Sequence, residues 1–180
     1  SFFWGKTEKR DAEYQLLEKI RHIPKTKFLA GNADFALGIV TGNNKKYISS
    51  VKNKDNEVIL KGSDIFKYHT NPNSNYIVFN PQNFQQVAPI EMYRAPEKLL
   101  YRFISSQLVF AYDDKQTLSL NSCNVVIPKL EGLHIKYILA ILNSRIAQFI
   151  YKMEFHSVKV LRSHIENIPI PDVNAGMQHH

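Results

Sequence analysis

The chain has 180 residues, of which 44% are hydrophobic, and it carries a formal net charge of +7 with a pI near 9.4. This length and composition suffice for one sizeable hydrophobic core with a small appendage. No apolar run approaches the roughly 18 residues that cross a bilayer, and the opening Ser-Phe-Phe-Trp is too short for a secretion signal. The basic excess favours a polyanionic partner, and nucleic acid fits better than a membrane surface.

The single cysteine, Cys123, excludes an internal disulfide and a multi-thiolate metal site. It lies in the strand-like run SCNVVIP, where a buried small hydrophobe is expected. We therefore expect a reducing, cytoplasmic setting. The seven histidines are scattered, and none has the His-Glu-x-x-His spacing of a zinc site, so we predict no metal site.

The first predicted element is a helix over Asp11–Ile23, where apolar side chains recur close to helical spacing. Pro24 ends this helix, because proline cannot continue the backbone hydrogen bonds. Lys25–Asp34 is a polar connector that contains Gly31 and Asn32. Residues 1–34 are thus predicted to form a linker helix and a connector.

From residue 35 the pattern changes to short runs rich in β-branched and aromatic residues, separated by turn residues. Such runs predict the strands of an antiparallel or mixed sheet with long loops. The Thr41-Gly42-Asn43-Asn44 segment tolerates positive φ and predicts a hairpin or bulged turn. The predicted strands are Phe35–Val40, Lys46–Val51, Glu57–Leu60, Tyr76–Phe79, Leu99–Ile104, Leu108–Tyr112, Leu118–Leu120 and Asn124–Ile127.

The clearest helical pattern is HIKYILAILNSRIAQFIY, with apolar residues at i, i+3, i+4 and i+7. It predicts one amphipathic helix over Leu133–Tyr151, packed against the sheet. The predicted fold class is α+β: a twisted, largely antiparallel sheet with long loops, an N-terminal linker helix and this C-terminal helix. Residues 35–171 would form one domain, and residues 172–180 a tail whose final two histidines are typical of an affinity tag.

Two motifs suggest catalysis, and both are incomplete. Asn80-Pro81-Gln82-Asn83-Phe84 approaches the Asn-Pro-Pro-(Tyr/Phe) signature of amino-directed DNA methyltransferases, but it lacks the second proline and no upstream glycine-rich loop could hold S-adenosylmethionine. Asp113-Asp114-Lys115 offers the Asp-x-Lys pattern of metal-dependent nucleases, but the preceding Leu99–Val109 run supplies no second acidic ligand. We therefore expect no catalytic residue in this chain, and a small metal-dependent nuclease stays open as an alternative.

Lysines, aromatic rings and amides crowd the loops of the first half of the β region. Lysines near loops neutralise phosphates without sequence choice, whereas arginine, asparagine and glutamine can read base edges. A protein-interaction module with an incidental basic face is the second alternative. The predicted DNA-binding residues are Thr41, Gly42, Asn43, Asn44, Lys45, Lys46, Lys61, Lys67, Tyr68, Arg94 and Arg102; Lys52, Lys54 and Lys98 add basic charge, and Asn73, Asn75, Gln82, Asn83, Gln85 and Gln86 add loop amides.

The order of the motifs resembles the TaqI-like C-terminal specificity domain. The resemblance runs from about Phe35 to Pro171 through GIVTGNNKKYI, ILKGSDIFKY, EKLLYRFISSQLVFAYDDKQTLSLNSCNVVIP, YILAILNSRIAQFIY and IENIPIP. That domain is the target-recognition part of adenine-specific DNA methyltransferases and of fused type IIG restriction–modification enzymes. It is also akin to the recognition domains of type I specificity subunits.

The resemblance implies a division of labour. A methyltransferase catalytic domain of the same parent chain would bind S-adenosylmethionine and methylate adenine N6, while this chain would read double-stranded DNA without a cofactor or catalysis of its own. Whether the parent also cleaves DNA is left open. Arg102 matches a frequently basic family position, either as a DNA contact or as a brace of the fold. Thr41–Lys46 would lie against the DNA backbone, with Lys45 and Lys46 neutralising phosphate.

Overall fold

The protein, seen here in a computed structural model, is described over residues 2–173. All of the predicted tail beyond Val173, including both histidines, lies outside the described residues. The helices are α1 (Phe2–Arg21), α2 (Asn44–Tyr47), α3 (Ile90–Tyr93), α4 (Ile135–Leu142), α5 (Arg145–Glu154) and α6 (Arg162–Glu166). The strands are β1 (Thr26–Lys27), β2 (Ala33–Ala36), β3 (Ile48–Ser49), β4 (Glu57–Leu60), β5 (Tyr76–Ile77), β6 (Lys98–Arg102), β7 (Phe110–Asp113), β8 (Leu118–Ser119), β9 (Cys123–Pro128) and β10 (Ile170–Pro171).

The strands form two four-stranded sheets and a small ribbon. A central sheet has the order β2-β9-β6-β7 and is antiparallel throughout, while a second sheet has the order β3-β5-β4-β8 with only β4 and β8 parallel. β1 and β10 pair to bring the two ends of the domain together. The α+β class is confirmed, and each of the eight predicted strands overlaps an observed one, although the strands divide between two sheets. The predicted Lys46–Val51 strand is reduced to β3, because Lys46 and Tyr47 belong to α2, and the predicted Phe35–Val40 strand ends at Ala36. The β1–β10 ribbon was not predicted.

The central sheet separates two hydrophobic cores, because successive side chains on a strand face opposite sides. On β6, Leu99 and Tyr101 join the core beneath the helices, and Leu100 joins the core shared with the second sheet. On β9, Val126 and Val125 divide in the same way. Both cores therefore depend on the same two central strands. Cys123 is buried in the second core, as expected.

The predicted turn at Thr41–Asn44 is not a hairpin. Val40 bridges to Gln86 rather than to the strand that follows it, and β3 pairs with β5. Residues Asn44–Tyr47 form the short helix α2, in which the Asn43 side-chain oxygen accepts a hydrogen bond from the Lys46 backbone N–H at 3.2 Å. Asparagine satisfies a free N–H at a helix start as readily as it forms a turn. The prediction chose the wrong alternative.

The predicted single helix over Leu133–Tyr151 is two helices, α4 and α5. The Asn143 side chain accepts a hydrogen bond from the Phe110 N–H (3.0 Å) and donates one to the Phe110 carbonyl (2.9 Å), which ties the break to β7. The Ser144 hydroxyl then caps α5 by accepting from the Ala147 N–H at 3.1 Å. The apolar spacing runs through this break, so it gave no warning of it.

The N-terminal helix begins earlier than predicted and stands partly away from the body of the fold. Only Leu17 and Ile20 of its described side chains are buried. Its end is fixed by Arg21, whose Nε donates to a Glu154 carboxylate oxygen at 2.9 Å. Within residues 2–173, no helix is long and apolar enough to span a membrane.

Candidate nucleic-acid interface

Two loops meet on the second-sheet side of the molecule: the Thr41–Lys46 loop and the loop of residues 80–86. Just before the first loop, Val40 exchanges both backbone hydrogen bonds with Gln86, at 2.9 and 3.0 Å. This pairing fixes the start of one loop against the end of the other. We call the exposed face of these two loops the two-loop surface.

Gly42 brings the loops into close contact. Its φ is +80°, and a Cβ at this position would lie 3.2 Å from the Cβ and 3.3 Å from the side-chain oxygen of Gln85. Only glycine adopts this backbone conformation without strain and leaves room for the neighbouring side chain. The fold therefore requires glycine at position 42 for two independent reasons, the backbone conformation and the space taken by Gln85.

A row of aromatic rings supports the two-loop surface. Tyr47 packs edge-on against Phe84 at 5.3 Å between ring centroids, and Phe84 stacks with Phe79 at 6.4 Å. The Lys46 ammonium lies 5.2 Å from the Tyr47 ring centroid, and the Arg94 guanidinium lies 5.4 Å from that of Phe79. Packed rings of this kind hold both loops in one arrangement.

The two chain segments that carry the two-loop surface contain no negatively charged residue. No aspartate or glutamate occurs between residues 36 and 54 or between residues 65 and 90. Lys45 and Lys46 are exposed, and neither belongs to an ion pair in the described part of the chain. Their charge is thus free to attract an anion. These two acid-free stretches are a signal already present in the sequence, which the individual motifs do not convey.

The first loop orients its amides through internal hydrogen bonds. Thr41 is 3% exposed, accepts from the Asn43 N–H at 3.1 Å and donates to the Asn44 side-chain oxygen at 2.5 Å. The Asn43 oxygen is held by the Lys46 N–H. Both amide oxygens are therefore engaged inside the loop, and the exposed amides offer N–H donors. Thr41 braces the loop and does not lie on its surface.

Another group of predicted residues lies at the opposite end of β4. Ile77 of β5 pairs with Ile48, the first residue of β3, and with Glu57, the first residue of β4. Both strands therefore begin at the same end of the second sheet, and the first loop lies at that end. Lys61 follows the far end of β4. The predicted residues at this far end are Lys61, Lys67, Tyr68 and Arg102.

Backbone and side-chain contacts tie this second group to the fold. Arg102 donates through Nε to the carbonyls of Gly62 (3.1 Å) and Ile65 (2.8 Å). Lys67 reaches the Asn143 carbonyl at 3.3 Å. Tyr68 has φ +76°, and its side chain is exposed. Arg102 thus braces the fold through its Nε, while a contact of this residue with DNA stays a prediction.

Two further cations of the predicted basic surface are engaged in ion pairs. The Arg94 guanidinium forms a bidentate pair with Glu57 at 2.7 and 3.0 Å. Lys98 is completely buried between Asp113 (2.6 Å) and the Tyr93 carbonyl (2.8 Å). Burial lowers the pKa of Lys98, and its hydrogen bond to the Asp113 carboxylate opposes that shift. The inclusion of Lys98 in a basic surface was wrong, because no ligand can reach it.

Asp113 is part of the same buried pair and of the following turn. One carboxylate oxygen accepts from Lys98 and from the Thr117 N–H at 3.0 Å, and the other accepts from the Thr117 hydroxyl at 2.8 Å. Over residues 2–173, no group of three or more histidine, cysteine, aspartate or glutamate side chains could hold a metal ion. Asp113 therefore closes a turn between β7 and β8.

A family model described as the TaqI-like C-terminal specificity domain matches residues 57–170, well over half of the chain. The chain belongs to this family. The matched part of the specificity domain includes the 80–86 loop and begins after the Thr41–Lys46 loop. No curated protein sequence matches the chain significantly.

Two solved structures have a similar fold. One comes from work on the structural basis underlying complex assembly and conformational transition of the type I R-M system, with a TM-score of 0.56 and 13% identity; the similarity covers 96% of this chain and 45% of that one. The other is the HsdS subunit from Thermoanaerobacter tengcongensis, with a TM-score of 0.52, 12% identity, and 96% and 44% of the two chains covered. The specificity domain thus spans less than half the length of either solved chain.

Proposed function

We propose that this specificity domain is the sequence-specific double-stranded DNA-binding module of a restriction–modification system. The observation that carries the proposal is the two-loop surface, which combines unpaired lysines with exposed amides in acid-free stretches of chain. Membership of a specificity-domain family supports it. So do the two solved chains of similar fold, one described as part of a type I R-M system and the other as an HsdS subunit.

The geometry suits contact with a DNA duplex through two separate functions, which are neutralisation of phosphate charge and reading of base edges. Lys45 and Lys46 would neutralise phosphates and release counterions, which gives affinity that depends on salt but not on sequence. Exposed amides can contact the base edges in the major groove, where each base pair presents a distinct pattern of donors and acceptors. The supporting aromatic row would keep both functions in register, since it fixes the two loops relative to each other.

The proposal extends to the parent enzyme. This module would serve a methyltransferase catalytic domain of the same parent chain, which binds S-adenosylmethionine and methylates adenine N6. The test is to map modified bases in DNA from cells that express the parent gene. N6-methyladenine at one defined motif is expected, whereas cytosine methylation or none would contradict this part of the proposal alone.

A fluorescence-anisotropy titration of a labelled duplex between about 50 and 200 mM salt tests DNA binding by the isolated chain. The Lys45→Ala/Lys46→Ala variant should bind more weakly. Its slope of log affinity against log salt should fall by about 1.8, at about 0.9 for each lost phosphate contact. The matched control is Lys9→Ala/Lys19→Ala, which removes two exposed lysines from α1.

Two outcomes of that titration would contradict the proposal, one for the first loop and one for DNA binding as a whole. An unchanged affinity and slope in the Lys45→Ala/Lys46→Ala variant would remove the first loop from the interface. A wild-type chain that binds no duplex even at low salt would instead favour a protein-interaction module with an incidental basic face.

A further inference from the structure

We propose that Gln85 is the residue of the two-loop surface that reads a base edge, that it selects adenine, and that the Thr41–Lys46 loop contacts only the phosphate backbone. The inference rests on the proposed DNA-binding function and assigns different roles to the two loops. Gln85 was among the loop amides of the sequence but not among the predicted DNA-binding residues.

The Thr41–Lys46 loop has the groups needed to bind an anion. Both of its asparagine oxygens are engaged, the Asn43 oxygen by the Lys46 N–H and the Asn44 oxygen by the Thr41 hydroxyl. Outward it therefore presents N–H donors beside two lysine ammonium groups, all of which suit phosphate oxygens. Adenine recognition needs a donor and an acceptor on one side chain, and in this loop each asparagine oxygen already accepts one internal hydrogen bond that fixes its orientation.

Gln85 retains both hydrogen-bonding ends of its amide. Its side chain is exposed and forms no hydrogen bond within the described residues. A glutamine in this state can accept from N6 and donate to N7 of adenine, the bidentate pattern by which amides distinguish that base. Gln82 differs, because its amide nitrogen already donates to the Asn80 side-chain oxygen.

The position of Gln85 is fixed before any ligand arrives. Its Cβ and its side-chain oxygen lie against Gly42 at the seam between the two loops. On one side Phe84 is held by Tyr47, and on the other Gln86 is held by both backbone hydrogen bonds to Val40. A backbone that is already ordered loses less conformational entropy on binding and presents the Gln85 side chain at a defined place.

Gln15 on α1 provides a matched control of the same chemistry. It is also exposed, and its side chain is likewise free of hydrogen bonds in the described part of the chain. The buried residues of α1, Leu17 and Ile20, pack in the core beneath the helices, so α1 lies outside the two-loop surface. Truncation of Gln85 and of Gln15 therefore removes the same atoms from inside and from outside the proposed interface.

The test is selection of bound sequences from a randomised duplex library by the whole 180-residue chain, followed by sequencing. Wild type should enrich a motif that contains adenine at one or more positions. Gln85→Ala should keep the rest of the motif but lose an adenine preference of about 5- to 150-fold at one position. Gln15→Ala should enrich the wild-type motif, and Lys45→Ala/Lys46→Ala should do so with lower yield at every sequence.

A second variant distinguishes the loss of one base contact from a general loss of DNA binding. Gln85→Glu keeps the shape of the side chain but can only accept, so the preference at the same position should move from adenine towards cytosine, whose N4 amino group is a donor. Thermal melts of all variants should match wild type, since Gln85 is exposed and contributes little to stability.

The outcomes separate this inference from the function on which it rests. If wild type enriches a motif and neither Gln85 variant changes any position, or if Gln15→Ala changes the same position, the assignment of Gln85 is wrong and DNA recognition stands. If wild type binds duplexes without preference, the base-reading role fails and the phosphate contact stands. If wild type binds no duplex, both proposals fail.

Discussion

Gly42 combines two constraints that are separable by mutation. Its φ of +80° strains any residue with a Cβ, and a Cβ would also crowd Gln85. Gly31 shares the first constraint, with φ +71°, but an added Cβ there meets no atom within 4 Å. The pair therefore distinguishes backbone strain from displacement of the neighbouring side chain.

We predict that Gly42→Ala and Gly31→Ala each lower the free energy of unfolding by about 1–2 kcal/mol, the cost of a left-handed backbone. Urea unfolding measures this loss. Only Gly42→Ala should also weaken binding in the anisotropy titration, because it moves Gln85. Equal DNA binding by Gly42→Ala and wild type would mean that the contact between the loops does not position the interface.

His164 gives the fold a dependence on pH. Its ring is stacked on Phe155 at 4.2 Å, and its Nδ1 accepts from the Leu161 N–H at 3.1 Å at the start of α6. Burial lowers the pKa of His164 below its usual 6.5. The unfolded chain therefore binds the proton more readily, so stability is lost as the pH falls below about 6.5.

The variant His164→Gln should show a flatter profile of unfolding free energy against pH between about 7.5 and 5, because glutamine can accept the same N–H but does not titrate. Urea unfolding at several pH values measures the profile. A wild-type slope in His164→Gln would show that other groups cause the acid sensitivity.

At the scale of elements, the break between α4 and α5 depends on one side chain. Asn143 is buried and holds Phe110 of β7 by two hydrogen bonds. We predict that Asn143→Ala lowers the free energy of unfolding by about 2–3 kcal/mol, since the Phe110 N–H is left without a partner away from water. Ser144→Ala, which removes only the cap of α5, should cost about 1 kcal/mol. Chemical denaturation compares the two losses.

The β6–β7 pair contains a buried ion pair between Lys98 and Asp113. Asp113→Ala would leave the buried Lys98 ammonium without its carboxylate, and we predict a loss of about 3–5 kcal/mol in unfolding free energy. Asp114→Ala, at the exposed neighbour, should stay within about 0.5 kcal/mol of wild type. Calorimetry distinguishes these values. Similar melting of both variants would contradict the structural role of the buried pair.

At the scale of the whole molecule, the two cores share β6 and should unfold together. Leu99→Ala and Leu100→Ala each remove a fully buried side chain, on opposite faces of the central sheet, and each should cost about 2–5 kcal/mol. We predict one transition in both variants, with hydrogen-exchange protection lost in the two cores at the same denaturant concentration. Loss of protection in one core alone would show that the cores are independent.

Local patterns predicted the class of the fold well, because β-branched runs and an apolar helical stripe report burial directly. They could not predict where the long stripe breaks, since the hydrogen bonds of Asn143 go to a strand far away in the sequence. The division of strands between two sheets depends on long-range pairing for the same reason.

The candidate site was predictable only in part. Turn residues and lysines indicated the Thr41–Lys46 loop, and the structure brings Gly42 together with Lys45 and Lys46 there. The sequence could not show that Arg94 is paired with Glu57 or that Lys98 is buried, because their partners lie in other elements. Which cations remain free is a property of the folded chain.

The exposed amides of the two-loop surface touch neither hydrophobic core, and the polypeptide behind them is held by backbone hydrogen bonds and a row of rings. Replacements at Gln85 or Gln86 should therefore change the free energy of unfolding by no more than about 0.5 kcal/mol. Related proteins could thus drift to new target sites one position at a time, without first acquiring compensating substitutions. Because the exposed amides are separate from both cores, this domain would also be a practical starting point for engineering the recognition of new DNA sequences.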